Sequence, residues 1–144
     1  MHGGKPVLRV WILYYLIPLS VAVNEKADKD ELRVQIEREQ FVRAATLAAS
    51  CGIPEEEVRD LRLKALWQMC AEYRNAPGAK SLAQEYGLSK QEVGEFLKKH
   101  AQDNRNQGES KPLEPCYDID TGEYLSFEEW MERFLKNWDK LSVP

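Results

Sequence analysis

Apolar residues recur at helical spacing along the first half of the chain. Between Asp30 and about Ser50 they fall on one face of a helix, and Gly52 follows as a stop signal. The pattern therefore predicts one helix across this range. Its apolar positions are Leu32, Ile36, Phe41, Ala44, Ala45 and Ala48.

A second helix is predicted from Pro54 to about Arg74. Proline suits the first turn of a helix, because the N–H that it lacks would have no partner there. The glutamates at positions 55–57 complement the positive end of this helix. Its second half leaves little polar face, which is typical of a buried helix. The apolar residues there are Leu61, Leu63, Leu66, Trp67, Met69, Cys70 and Tyr73.

The sequence Asn-Ala-Pro-Gly at residues 75–78 interrupts the helical pattern. A short helix is predicted after it, from about Ala79 to Tyr86, and another from Ser89 to about Gln102. Residues 103–115 are polar and contain one glycine and two prolines. They predict a linker or a long surface loop.

The C-terminal stretch predicts a β-hairpin followed by a capped helix. Short β-prone arms at 117–119 and 123–125 flank Asp-Thr-Gly, a turn that places Gly122 in the left-handed conformation. Ser126 with Glu129 three residues later forms a capping-box pattern, which starts a helix running to about Lys140. One face of that helix is an aromatic stripe, which favours a core helix that closes the domain and leaves a partner groove open as the alternative. The stripe consists of Phe127, Trp130, Met131, Phe134, Trp138 and Leu141.

Part of the sequence occurs twice. TLAASCGIPEEEV at 46–58 and SLAQEYGLSKQEV at 81–93 align on Gly52 and Gly87. Each copy has alanine where two helices approach, glycine where the turn requires positive φ, and valine to seal the second helix on the first. The matched positions are Leu47 with Leu82, Ala48 with Ala83, Ile53 with Leu88, Glu57 with Glu92, Val58 with Val93 and Leu61 with Phe96.

This pattern resembles the helix-turn-helix of DNA-binding regulators over about 20 residues in each copy. The resemblance implies that the outer face of the second helix reads DNA. On the second copy that face carries Ser89, Lys90, Gln91, Gly94, Glu95 and Lys98. Lys98 and Lys99 would reach phosphates, with Lys80 nearby. The same face of the first copy is acidic, so we interpret that copy as structural.

The sequence thus predicts a mainly α fold: a small helical bundle with tandem helix-turn-helix-like pairs, plus a C-terminal β-hairpin and capped helix. Four segments are predicted along the chain. They are an apolar segment at 1–23, a helical domain at 24–102, a polar linker at 103–115, and the hairpin with its amphipathic helix at 116–144.

The charge distribution leaves two functions open. The net charge is −4, residues 54–102 are balanced, and residues 109–144 carry nine acids against four bases. No overall basic field attracts nucleic acid. One function is therefore a DNA-binding or regulatory accessory role through Ser89, Lys90, Gln91, Lys98 and Lys99. The other is a helical protein-interaction module that binds no nucleic acid and whose partner is another protein or a second copy of the chain.

No catalytic motif and no cofactor site is found in the sequence. It lacks a nucleophile elbow, a phosphate-cradling glycine loop and a zinc-protease helix. The three cysteines have no metal spacing and are interpreted as structural. Asp118 and Asp120 have the wrong spacing to Gly122 for a calcium loop, so the hairpin explains them better. We expect neither an enzyme, a metal nor a small-molecule substrate.

The N-terminal segment bears on localisation. Two basic residues, the apolar run 10–19 and Ser-Val-Ala at 20–22 are the parts of a secretory signal. Two alternatives are a docking element of the core and sequence upstream of the true start. The run is short for a membrane span, which needs about 20 apolar residues. We expect a cytoplasmic protein, with export or anchoring through residues 1–22 as the alternative.

Overall fold

The computed structural model describes residues 19–143, with side-chain environments from residue 27. Six α-helices and one antiparallel hairpin confirm the mainly α fold over these residues. The helices are α1 (Leu19–Glu37), α2 (Phe41–Ser50), α3 (Glu55–Trp67), α4 (Ala76–Glu85), α5 (Lys90–Asn106) and α6 (Phe127–Lys136). A π-helical turn (Gln68–Glu72) follows α3, and 3-10 turns occupy Lys111–Leu113 and Trp138–Lys140. The strands are β1 (Cys116–Asp118) and β2 (Glu123–Leu125).

The chain divides into two compact units, one ending at Ala65 and the other beginning at Leu66. Each has its own buried cluster. The cluster of the first unit consists of Leu32, Ala44, Ala45, Ala48, Val58 and Leu61. The larger cluster of the second unit includes Leu66, Cys70, Ala83, Val93, Leu97, Ala101, Leu113, Phe127, Trp130, Phe134 and Trp138.

A turn at residues 38–40 breaks the helix predicted over 30–50, so that prediction is wrong. Glu39 adopts a positive φ of 55°, and the N–H of Gln40 donates to the carbonyl of Gln35 at 2.9 Å. The apolar period continues across the turn because α1 and α2 contribute to the same buried cluster. No glycine or proline marks the turn. The apolar periodicity, taken alone, therefore predicted a single helix through it.

Both predicted helix pairs turn at their glycines, as the repeat predicts. Gly52 has φ 71° and Gly87 has φ 73°, the left-handed region that favours glycine. A Cβ on either glycine would meet no atom within 4 Å, so backbone conformation alone requires glycine there. The matched alanines at 48 and 83 are both fully buried.

Helix α4 begins earlier than the sequence predicts. Helix α4 begins at Ala76 rather than Ala79, so Pro77 and Gly78 belong to its first turn. The side chain of Asn75 caps this helix by accepting the N–H of Gly78 at 2.9 Å. Proline is compatible with a first helical turn, because no N–H is needed there.

The predicted linker at 103–115 is largely ordered structure of the second unit. Helix α5 continues to Asn106, four residues beyond the predicted end at Gln102. Leu113 in the following 3-10 turn is buried in the main cluster. The hairpin and α6 are therefore not a separate domain, because α6 supplies aromatic residues to the same cluster as α5.

The hairpin turn, the capping box and the aromatic core stripe are confirmed, whereas the predicted helix end at about Lys140 is wrong, because Asn137 ends α6 after Lys136 and a separate 3-10 turn follows. Tyr117 pairs with Tyr124 across the hairpin, and Gly122 has φ 72° at its turn. Ser126 accepts the N–H of Glu129 at 3.2 Å, and Glu129 accepts the N–H of Ser126 at 2.8 Å. The aromatic stripe of α6 is core: successive ring centroids lie 5.0 Å apart for Trp130–Phe134 and 5.4 Å apart for Phe134–Trp138.

The interpretations of the N-terminal segment concern mainly residues 1–18, which lie outside the described residues. Helix α1 already includes residues 19–23. Within the described part of the chain, no helix is both long and apolar enough to cross a membrane.

Candidate functional site

The N-terminal end of α5 carries three of the predicted DNA-binding residues. Ser89 is the N-cap: its Oγ accepts the N–H of Glu92 at 3.1 Å, and Glu92 Oε1 accepts the N–H of Ser89 at 2.9 Å. Ser89, Lys90 and Gln91 are all exposed. The hydroxyl of Ser89 therefore has a structural role at the helix start.

The lysines near this helix differ in their surroundings. Lys98 and Lys99 are exposed, and the ammonium of Lys99 lies 3.5 Å from the carboxylate of Asp103. Lys80 is buried, and its Nζ donates to the carbonyls of Trp138 at 2.7 Å and Leu141 at 3.1 Å. The expected contribution of Lys80 to a positive edge is therefore wrong.

The outer face of α5 is interrupted at Gly94, which is buried against α6. A Cβ on Gly94 would lie 3.2 Å from Leu135 Cδ1. Residues three and four apart share a helix face, so Gln91 and Lys98 flank this covered position. Gln91 also lies 3.4 Å from the carboxylate of Glu95. The candidate residues thus form two exposed groups, 89–91 and 98–99, rather than one continuous basic stripe.

A groove of about 650 Å³ is found elsewhere in the second unit. One wall is the segment from Tyr73 to Pro77, which ends the π-helical turn and starts α4. The second wall is the hairpin segment 117–120. The remaining lining comes from α6 and the residues after it: Trp130, Arg133, Phe134, Asn137 and Leu141. We call this feature the tyrosine groove.

Arg74 joins the first wall to the segments on either side of the second wall. Its guanidinium donates to the carbonyls of Ala71 at 3.1 Å, Leu125 at 3.1 Å, Pro112 at 3.2 Å and Glu114 at 3.0 Å. The residue has φ 50°, a strained conformation for a non-glycine residue that its surroundings must hold. Burial lowers the pKa of Arg74, and the nearby Cys116 and Cys70 oppose that shift.

Lys80 fixes the remaining lining by the two bonds to the carbonyls of Trp138 and Leu141. The ammonium also lies 5.8 Å from the centre of the Trp138 ring. This cation holds the chain after α6 against α4. Two cations, Arg74 and Lys80, therefore hold segments that line the tyrosine groove by bonds within the chain.

The groove presents exposed apolar side chains and polar groups that make no hydrogen bond within the described residues. Tyr73 is 50% exposed and Tyr117 57% exposed, and beside them Ile119 is 87% exposed. The assignment of Tyr73 to a buried helix face is therefore wrong. Among the described residues, no hydrogen bond engages the hydroxyls of either tyrosine, the indole N–H of Trp130 or the side chain of Asn137.

The hairpin side of the groove is acidic. No basic residue occurs between positions 112 and 132, whereas this range includes Glu114, Asp118, Asp120 and Glu123. Asp118 Oδ2 accepts the N–H of Thr121 at 2.8 Å, which gives that carboxylate a role in the turn. Within the described residues, no group of three or more potential ligands is arranged to hold a metal ion.

Sequence reasoning missed the tyrosine groove because its parts are distant in sequence. In the sequence, Arg74 and Lys80 are ordinary polar residues near helix ends, and apart from Ala71 their carbonyl partners lie 38 to 61 positions away. The positive φ of Arg74 leaves no signature in residue type. The one available signal is the group of tyrosines next to turn-forming residues.

Comparisons with known proteins identify no family for this chain. No protein-family model, no curated protein and no solved structure matches the chain.

Proposed function

We propose that this protein is a helical protein-interaction module that binds a segment of a partner in the tyrosine groove. The proposal rests on one observation: exposed tyrosines line a groove whose surrounding segments are already held in place by Arg74 and Lys80. Tyrosine, tryptophan and arginine are enriched at binding hot spots, and all three residue types line this groove. A site that is already ordered loses less conformational freedom on binding.

The groove is favoured over the DNA-reading face on three grounds. Gly94 is covered by Leu135, Lys99 is paired with Asp103, and Lys80 is buried. Each reduces the phosphate and base contacts that the helix pair α4–α5 can make. The groove instead has exposed tyrosines in its lining, and tyrosine is a residue type enriched at interaction sites.

The experiment is selection from an unbiased random peptide library on the full chain. The comparison protein carries Tyr73→Ser and Tyr117→Ser, two exposed positions whose loss leaves the core residues in place. We expect peptides that bind the native chain and lose binding to the double variant, while circular dichroism shows both proteins equally folded. Peptides that bind both proteins alike, or no enrichment at all, would refute the proposal.

DNA binding by α5 is the second proposal, supported by the exposure of Lys90, Gln91 and Lys98 at one side of a well-capped helix. Loss of Lys98 and Lys99 should then weaken binding to all duplexes and lower the salt slope by about one per phosphate contact. Changing Gln91 should instead alter sequence preference, by about 1–3 kcal/mol at one base pair. Titration of labelled mixed duplex at low salt tests this, and no binding there excludes it.

A further inference from the structure

We infer that the occupant of the tyrosine groove is an extended, proline-rich segment of a partner protein with a basic residue beside the hairpin. This inference rests on the proposed interaction function and specifies its ligand. It follows from three properties of the groove: its aromatic surfaces, its hydrogen-bonding groups and its charge.

The aromatic surfaces suit flat, rigid, apolar side chains. Tyr73 and Tyr117 are about half-exposed on the two walls, and the mostly buried rings of Trp130 and Phe134 complete the aromatic lining. Pyrrolidine rings pack on such surfaces, and a polyproline II chain already has the extended shape, so little conformational entropy is lost on binding. Aromatic-lined grooves select this conformation for that reason.

The groove contains several groups that can donate a hydrogen bond, in addition to the acceptor carboxylates of Asp118 and Asp120. The phenol hydroxyls of Tyr73 and Tyr117, the indole N–H of Trp130 and the amide of Asn137 have no hydrogen bond among the described residues. Each of these groups can donate a hydrogen bond to an acceptor of the ligand. A proline-rich segment offers backbone carbonyls that are not used internally, and its prolines have no N–H that would be left unpaired.

The charge sets the direction of the ligand. Asp120 is exposed at the hairpin turn, and Asp118 lies two residues before it on the same wall. A lysine or arginine of the ligand would be attracted there. Arg133 lines the groove from α6 and would repel a basic residue next to it. The basic residue of the ligand therefore belongs at the hairpin end.

The composition of the selected peptides gives the first test. We expect the groove-dependent peptides from the random library to be enriched in spaced prolines with lysine or arginine on one side. Groove-dependent peptides without proline enrichment would overturn this inference and leave the interaction function standing. If no peptide depends on Tyr73 and Tyr117, both fall together.

Matched synthetic peptides give the second test, by fluorescence anisotropy on the full chain. The first probe has prolines in most positions and two arginines at one end. The second replaces the prolines with alanine at the same charge, and the third replaces the arginines with glutamine. We expect the first probe to bind at least about tenfold more tightly than the second, as expected for a hot-spot contact. Equal binding of the first two probes would overturn the proline preference.

Protein variants locate the contacts. Tyr117→Ser should weaken the first probe at least about tenfold, whereas Ile36→Ser, an exposed apolar change in the other unit, should leave it unchanged. Asp120→Asn should remove the preference for the first probe over the third. Its control is Asp60→Asn, which removes an exposed acid from α3. A preference that survives Asp120→Asn would place the basic residue elsewhere and overturn the assigned direction.

Discussion

The two helix pairs, 46–64 and 81–99, share a turn and differ in what surrounds it. In both, glycine has positive φ, an alanine is fully buried before the turn, and a valine is buried after it. The first pair buries these residues in a small cluster with α1. The second pair lies in a larger cluster with the aromatic residues of α6.

This difference is clearest at matched positions of the second helix in each pair. Position 59 carries an exposed arginine, and its counterpart 35 residues later is Gly94, buried against Leu135. A resemblance that depends only on shared positions cannot detect this contact. The repeat therefore reports how two helices pack, and the neighbours of each pair determine which surface is left for binding.

The largest expected effect concerns the surroundings of the second pair. Arg74→Met leaves the carbonyls of Leu125, Pro112 and Glu114 without their donor. We expect the free energy of unfolding to fall by about 3 kcal/mol, because hydrogen bonds to charged groups are the stronger kind. Urea denaturation followed by tryptophan fluorescence measures this.

Arg43→Met is the control for that change, since Arg43 is exposed on α2. Its effect should stay within about 0.5 kcal/mol. Equal stabilities of the Arg74 variant and the native chain would mean that the groove walls do not depend on this cation.

Exchanging the matched residues at 59 and 94 should give the next largest effect. Gly94→Arg forces a side chain into the contact with Leu135, where overpacking costs about 1–3 kcal/mol, and a gain of about 1 kcal/mol in helix propensity offsets part of that cost. Arg59→Gly should cost about 1 kcal/mol, by helix propensity alone. Chemical denaturation followed by circular dichroism compares them. A harmless Gly94→Arg would show that α6 does not cover this face, and the DNA proposal would gain from it.

The two turn glycines should behave alike. Gly52→Val and Gly87→Val each place a β-branched residue at positive φ, which costs on the order of 1 kcal/mol or more. A Cβ at either position would meet no atom within 4 Å, so the strain of the backbone is the common cause. Thermal unfolding of the two variants checks the similarity. Tolerance of valine at one site only would mean that the repeat does not impose the same turn on both pairs.

The smallest effect is a pH dependence confined to the second unit. His100 packs between Trp67 and Phe96, with ring centroids at 4.4 and 5.4 Å, and burial lowers its pKa below the ordinary 6.5. The nearby Lys99 also lowers this pKa, whereas Asp103 and Glu109 oppose the shift. The unfolded chain therefore takes up the proton first, and stability should fall as the pH falls through 6.5 toward the lower folded value.

The melting temperature measured between about pH 7.5 and pH 5 tests this, with His100→Gln as the matched variant. We expect the native chain to lose more stability than the variant across that range. Identical pH profiles would show that His100 takes up its proton equally well in the folded and unfolded chains. The first pair has alanine at the matched position 65 and no histidine of its own.

Local signals in the sequence account for most of the elements. The glycine turns, the capping boxes at Ser89 and Ser126 and the hairpin at Gly122 each depend on residues within a few positions of one another. Such features are set by backbone sterics and short hydrogen bonds, which residue type and spacing encode directly. The predictions were wrong where residue type gave no local signal or a misleading one. At Glu39 no glycine marks the turn. Pro77 lies in the first turn of a helix, although proline was expected to interrupt one.

The sequence by itself determined the helical class of the described residues, the repeated turn and the aromatic stripe of α6. Only the tertiary structure decided that Gly94 is covered, that Lys80 is buried and that Arg74 joins segments far apart in the chain. The physical reason is that periodicity reports which face of an element is apolar, whereas the partner of that face depends on three-dimensional packing. A cation that bonds to distant backbone carbonyls has no residue-type signature, because every residue supplies a carbonyl.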